Sequence, residues 1–201
     1  MQTRLLHILK EIKRQMDSSQ NLITKVRNSG IPQIQVEIIV ELAFLRIFIA
    51  WENFLEESFI RYLVGAKSRS GYSPKRFVNP PNMKIAINLI SAEREYIRWN
   101  SSSEVIARSE IYFRNGEPYK SILQGVITDL DDMNTIRNRI AHRSTISKKK
   151  FNDFVRRKFG YGVSGMTPGR LLLTTMPSAS QTTFLDYYVG IIRTASTMII
   201  P

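Results

Sequence analysis

From Gln33 to Leu63 the chain runs without a glycine or a proline and places apolar side chains on most faces of a helix. Ile34, Ile38, Leu42, Leu45, Ile49, Leu55 and Phe59 form one stripe, and Ile39, Phe44, Phe48, Trp51 and Phe54 widen it. A helix apolar over so much of its circumference is expected at the centre of a bundle, or covered on one side by a second subunit. It is not a lipid span, because Glu41, Arg46 and Glu52 interrupt the stretch from Ile38 to Leu55. The N-terminus, MQTRLLHILKEIKRQ, scatters charges among its apolar positions and does not read as a signal peptide. The expectation is a cytoplasmic protein with no membrane partner.

Helical periodicity dominates the rest of the chain. Leu5, Ile8, Leu9, Ile12 and Met16 follow a three/four spacing, and Asn28-Ser29-Gly30 stops that first helix. Residues 65–81 hold three prolines and four basic residues and predict a turn-rich loop. A short helix is expected from Met83 to Ser91, and Ser101 with Glu104 has capping-box spacing for another that ends near Phe113. Pro118 to Arg143 reads as helix divided at Gly125 or at the acidic group, where Asp129 or Asp131 caps the second part. Lys148 to Phe159 and Thr183 to Ile199 complete the pattern, with LLLTT between them as a candidate strand. The fold class is all-α, a bundle of roughly five to seven helices. One domain over residues 1–201 is expected, with residues 1–29 as a helical extension.

Composition narrows the chemistry. The chain has no cysteine and two histidines, His7 and His142, so thiolate metal sites, cysteine nucleophiles and histidine-rich centres are excluded. No metal and no cofactor is expected. Lys+Arg is 29 against Asp+Glu 17, a formal charge of +12 that favours a polyanionic partner. Nine of the basic residues fall between Arg137 and Lys158: Arg137, Arg139, Arg143, Lys148, Lys149, Lys150, Arg156, Arg157 and Lys158. Asp153 is the one acid among them. Such a block either attracts nucleic acid or is a solvated helix face.

That block begins with the sharpest local feature, Ile136-Arg137-Asn138-Arg139-Ile140-Ala141-His142-Arg143-Ser144. On a helix Asn138 and His142 are four apart and share a face, so Asn138 is placed to hydrogen-bond the imidazole and fix its tautomer. Histidine exchanges protons near neutral pH, and a guanidinium stabilises charge that develops on phosphate oxygens. RNA supplies its own nucleophile, the 2′-hydroxyl. Arg137, Asn138 and His142 are therefore candidates for phosphodiester cleavage that needs no metal. The competing reading is a basic helix end whose histidine meets the helix dipole.

Arg137-Asn138-x3-His142 resembles the signature of the HEPN superfamily (higher eukaryotes and prokaryotes nucleotide-binding), and in particular its RiboL-PSP-HEPN-like group. The likeness extends to the upstream helix with Trp51-Glu52-Asn53-Phe54-Leu55, to the approach segment IYFRNGEPYKSIL and to the terminal amphipathic helix, across most of residues 30–200. It implies an all-α homodimer in which the motifs of two subunits meet in one cleft and cut RNA. It further implies Arg137 as the phosphate-binding residue, His142 as acid and base, and Asn138 as the orienting residue. A role as a toxin or phage-defence effector, with an antitoxin or defence-system partner, also comes from the resemblance. One toxin subgroup carries a tyrosine two residues after the histidine that its antitoxin nucleotidylates; Ser144 stands there in this chain.

The expected activity is thus a metal-independent endoribonuclease that leaves 2′,3′-cyclic phosphate ends. Arg139, Arg143, Lys148, Lys149, Lys150, Arg156, Arg157 and Lys158 would hold the RNA. The alternative is a non-catalytic HEPN-like module that binds RNA or nucleotide, or dimerises and regulates a partner protein; a DNA-binding regulator is a third reading. Glu52 is a candidate partner for Arg137 across the bundle. Asp129, Asp131 and Asp132 are read as capping acids rather than metal ligands, and His7 as structural. Tyr72, Phe77, Tyr112, Phe113 and Tyr119 are candidates for base stacking or for the core.

Overall fold

A computed structural model of the chain describes residues 2–91, 97–177 and 181–201. Among the described residues it is all-α, with nine α-helices and no strand: α1 Gln2–Arg27, α2 Gln33–Leu63, α3 Met83–Ser91, α4 Ser102–Tyr112, α5 Tyr119–Gly125, α6 Ile127–Ala141, α7 Thr145–Phe159, α8 Pro168–Leu173 and α9 Phe184–Ile199. No helix among them is long and apolar enough to cross a membrane. Two helices beyond the expected range arise where Gly125 separates α5 from α6 and where α8 forms in the Gly/Ser/Thr-rich segment.

Local chemistry accounts for most of the boundaries. The Ser101 hydroxyl accepts from the Glu104 amide and opens α4. Ser144 does the same for the Ser147 amide, so α7 begins three residues earlier than its apolar stripe predicts. Gly160, at φ 79°, closes α7 in the left-handed conformation. Two expectations are corrected. LLLTT is not a strand: Thr167 caps the segment, Pro168 occupies its first turn, and residues 171–173 finish α8. Thr175 makes only an isolated bridge to Thr183. Nor do Asp129 and Asp131 open a helix, because α6 starts at Ile127 and both acids lie within it.

The chain divides into two compact units, and α1, α2 and α9 give part of their length to each. The first comprises residues 1–13, 50–127 and 192–201. Its core is aromatic: the Phe59 ring lies 4.9 Å from Phe113, 5.1 Å from Tyr119 and 5.5 Å from Trp99, centroid to centroid. Buried hydroxyls there find partners. Ser58 and Tyr119 share a 2.9 Å hydrogen bond, and the Tyr62 hydroxyl donates to the Ile199 carbonyl at 2.8 Å. Burial raises the Tyr119 phenol well above its ordinary range. Of the proposed stacking aromatics, Phe113 and Tyr119 are core, Tyr112 donates to the Leu89 carbonyl, and Tyr72 packs edge-on to Tyr62. Phe77 is exposed.

The second unit comprises residues 14–49 and 128–191. Val40, Phe44, Ile47, Met133, Ile136, Phe151, Phe154, Leu172, Phe184 and Tyr188 are buried within it. Every candidate residue between Arg137 and Lys158 belongs to this unit, whereas Glu52 and the exposed His7 belong to the first.

Candidate nucleic-acid site

The motif occupies the end of α6 and the turn into α7. Ile136 is fully buried and fixes the phase of the helix, which leaves Arg137, Asn138 and Arg139 half-buried. Arg137 Nη1 donates to Asn138 Oδ1 at 3.1 Å, and Asn138 Nδ2 donates to Asn134 Oδ1 at 3.3 Å. The side-chain amide of Asn138 therefore orients the guanidinium. This departs from the expected bond to the imidazole ring, because Asn138 joins His142 through the main chain: the His142 amide donates to the Asn138 carbonyl at 3.0 Å.

His142 is the first residue beyond α6 and is exposed, as are Arg143 and Ser144. Its carbonyl accepts from the hydroxyl of Ser147, which also donates to the Ser144 carbonyl at 2.9 Å. Ser147 is buried, so the turn carrying the histidine backbone is tied into α7 from inside. The ring itself projects from a short, anchored connection between two helices.

The basic block divides by environment. Lys148, Lys149, Lys150, Arg156 and Arg157 are exposed along α7, while Phe151, Phe154 and Val155 face the core. Lys158 is engaged: its Nζ lies 2.6 Å from Oδ2 of buried Asp132, and Arg157 Nη2 lies 3.6 Å from Oδ1 of the same carboxylate. Lys158 thus anchors α7 to α6. Its spacing places it with the exposed lysines, but the buried acid one helix away claims it. Asp129 accepts from the Tyr187 hydroxyl at 3.2 Å.

Five residues beside this surface have no role that follows from their order in the sequence. Glu37 is buried, and its carboxylate accepts from the Thr167 hydroxyl at 2.6 Å and from Arg170 Nε at 3.2 Å. Glu41 accepts from the Gly169 amide at 3.0 Å. Gly169 is required there: a Cβ on it would lie 2.3 Å from the Glu37 carbonyl oxygen. Burial raises the Glu41 carboxyl above its usual value; the Gly169 bond lowers it, Glu37 raises it, and the positive charges of Arg143 and Arg139 lower it. Glu41 thus lies in the field of the two arginines that flank the motif. The signal that points to this pair is Glu-x3-Glu on an otherwise apolar helix, since two carboxylates on such a face need donors from another element. No family model matches the chain, and neither a curated protein nor a solved structure matches it.

Proposed function

We propose that the chain is a HEPN-type endoribonuclease whose site is Arg137, Asn138 and His142, and that it works as a homodimer. The observation that carries this reading is the geometry at the end of α6: a guanidinium oriented by the neighbouring amide, an exposed imidazole on a turn anchored from inside, and the exposed basic side of α7 immediately following.

In this mechanism His142 takes the proton from an RNA 2′-hydroxyl as its oxygen attacks the adjacent phosphorus. The bond from phosphorus to the 5′-oxygen breaks, and that oxygen takes a proton from an imidazolium. The donor is His142 after its first transfer or the same residue of the partner subunit. Arg137 stabilises the charge that grows on the non-bridging oxygens, where an ionised donor acts most strongly. The products are a 2′,3′-cyclic phosphate and a 5′-hydroxyl. The reaction asks for no metal because the substrate brings its own nucleophile. Lys148, Lys149, Lys150, Arg156 and Arg157 hold flanking phosphates, together with Arg139 and Arg143.

The test is cleavage of RNA in EDTA by the wild-type chain and by His142→Ala. Loss of about 10²–10⁴-fold in rate is expected, the usual worth of a positioned acid or base. Equal cleavage by both proteins removes His142 from the mechanism. Salt-sensitive RNA binding without cleavage by either favours the non-catalytic module, which uses the same basic surface.

A further inference from the structure

Helix α7 sorts its side chains by face. At about 100° per residue Lys148, Lys149, Asn152, Arg156 and Phe159 fall within an arc of about 100°, a row about 17 Å long. The four polar members are exposed, and Phe159 at the C-terminal end is half-buried. Among the described residues Lys148, Lys149 and Arg156 enter no ion pair, and Asp153, the one acid of the helix, falls outside the arc. Beyond the row Gly160 takes the left-handed conformation and turns the chain, and the Tyr161 ring lies against Phe159, 6.4 Å between centroids. Phe159 rests in turn on buried Phe184 at 5.9 Å, and Phe184 on buried Tyr188 at 6.2 Å. Tyr161 is thus braced from the core, yet it is 65% exposed. Gly160 and Gly162 on either side have open space where a Cβ would stand, which leaves the outer face of the ring uncovered.

We propose that Tyr161 is a stacking platform for one unpaired base of an RNA strand whose phosphates lie along Lys148, Lys149 and Arg156. A lone surface aromatic needs no explanation. This one is held by a ladder of rings and closes a row of cations. That is the combination single-strand binding uses, in which cations track the backbone and a ring takes a base. A tyrosine suits the place, because its flat face accepts any base and its hydroxyl tolerates water. A base inside a duplex has both faces covered by its neighbours, so the platform selects a strand that is unpaired at that point. The turn that carries His142 stands at the other end of α7, a helix of 15 residues and about 22 Å. The selected base therefore lies several nucleotides from the cut, and Tyr161 sets where the strand is held without touching the reacting atoms.

This inference rests on the RNA reading above and deepens it, and its test measures binding rather than cleavage. His142→Ala keeps the RNA intact and serves as the parent protein. On that parent, Tyr161→Ala should weaken binding of a single-stranded RNA by about 5- to 150-fold, the worth of one stacked base. The salt dependence should not change, because no cation is lost. Tyr161→Phe keeps the ring and should bind like the parent. The same RNA annealed to its complement should bind equally to all three proteins, which also checks that Tyr161→Ala leaves α7 folded. Salt-sensitive binding by the parent that is indifferent to Tyr161→Ala overturns this inference and leaves the RNA reading standing. An equal loss on single strand and duplex, or a loss that Tyr161→Phe shares, does the same. A parent that binds no RNA overturns both.

Discussion

Phe59 and Arg137 both sit on helices of the same chain, in surroundings of opposite character. Around Phe59 four aromatic rings close on one another, and the nearby buried hydroxyls of Ser58, Tyr62 and Tyr119 are hydrogen-bonded. Around Arg137 the helix is polar, its histidine is exposed, and the adjoining helix turns lysines and arginines outward. The first arrangement is complete in itself, which is how a core behaves. The second leaves like charges side by side in solvent, an arrangement that lowers stability unless an anion joins it. The contrast separates residues that hold the fold from those the proposed function uses.

The comparison predicts a clean division of mutational effects. Phe59→Ala should cost about 3–5 kcal/mol of stability, read by denaturant unfolding, with RNA affinity retained in the fraction that stays folded. Arg137→Ala should show the reverse: a loss of about 10²–10³-fold in RNA cleavage, as for removal of one preorganised charge-stabilising donor, with a melting temperature close to wild type. A large stability loss there would reassign Arg137 to the fold. Gly169→Ala should destabilise the second unit by about 1–3 kcal/mol, because the added methyl group meets the Glu37 carbonyl and pushes α8 from α2.

Two smaller effects sharpen the boundary. Replacing Lys148, Lys149 and Lys150 together by alanine should lower the salt dependence of RNA binding by about 2 in log–log slope, whereas Lys158→Ala should act mainly on stability through Asp132. Glu41→Gln should alter the pH dependence of stability. The folded-state value of Glu41 is raised above its ordinary 4.5, so its contribution is fully present below that pH and is lost as pH rises through the folded value. The variant should therefore gain on wild type as pH rises above 4.5, measured by thermal unfolding at a series of pH values.

Much of the fold was legible from residue order because the signals are local. The bounds of α2 and α3 follow from apolar periodicity, and that of α4 from Ser101 and Glu104. Whether a residue is claimed by a distant neighbour was not legible. Lys158 reads as one more solvated base until Asp132 is found buried beside it, and Asp129 reads as a cap until Tyr187 reaches it. The Glu37–Glu41 pair was hidden for the same reason, since its donors lie some 130 residues away in a glycine-rich segment that carries little periodicity. At the motif, the main-chain link between Asn138 and His142 follows from helical spacing, but the choice of Arg137 over the imidazole by the Asn138 amide depends on side-chain packing.

In the proposed function the end of α6 acts on RNA through the substrate's own hydroxyl. The most direct measurement is to map the termini of fragments made in EDTA from an RNA and from the same RNA with single 2′-deoxy substitutions at the cut positions. The account predicts 2′,3′-cyclic phosphate and 5′-hydroxyl ends, cleavage abolished at each substituted position, and no such fragments with His142→Ala. Cleavage that persists at the deoxy positions, or fragments carrying 5′-phosphates, would contradict it.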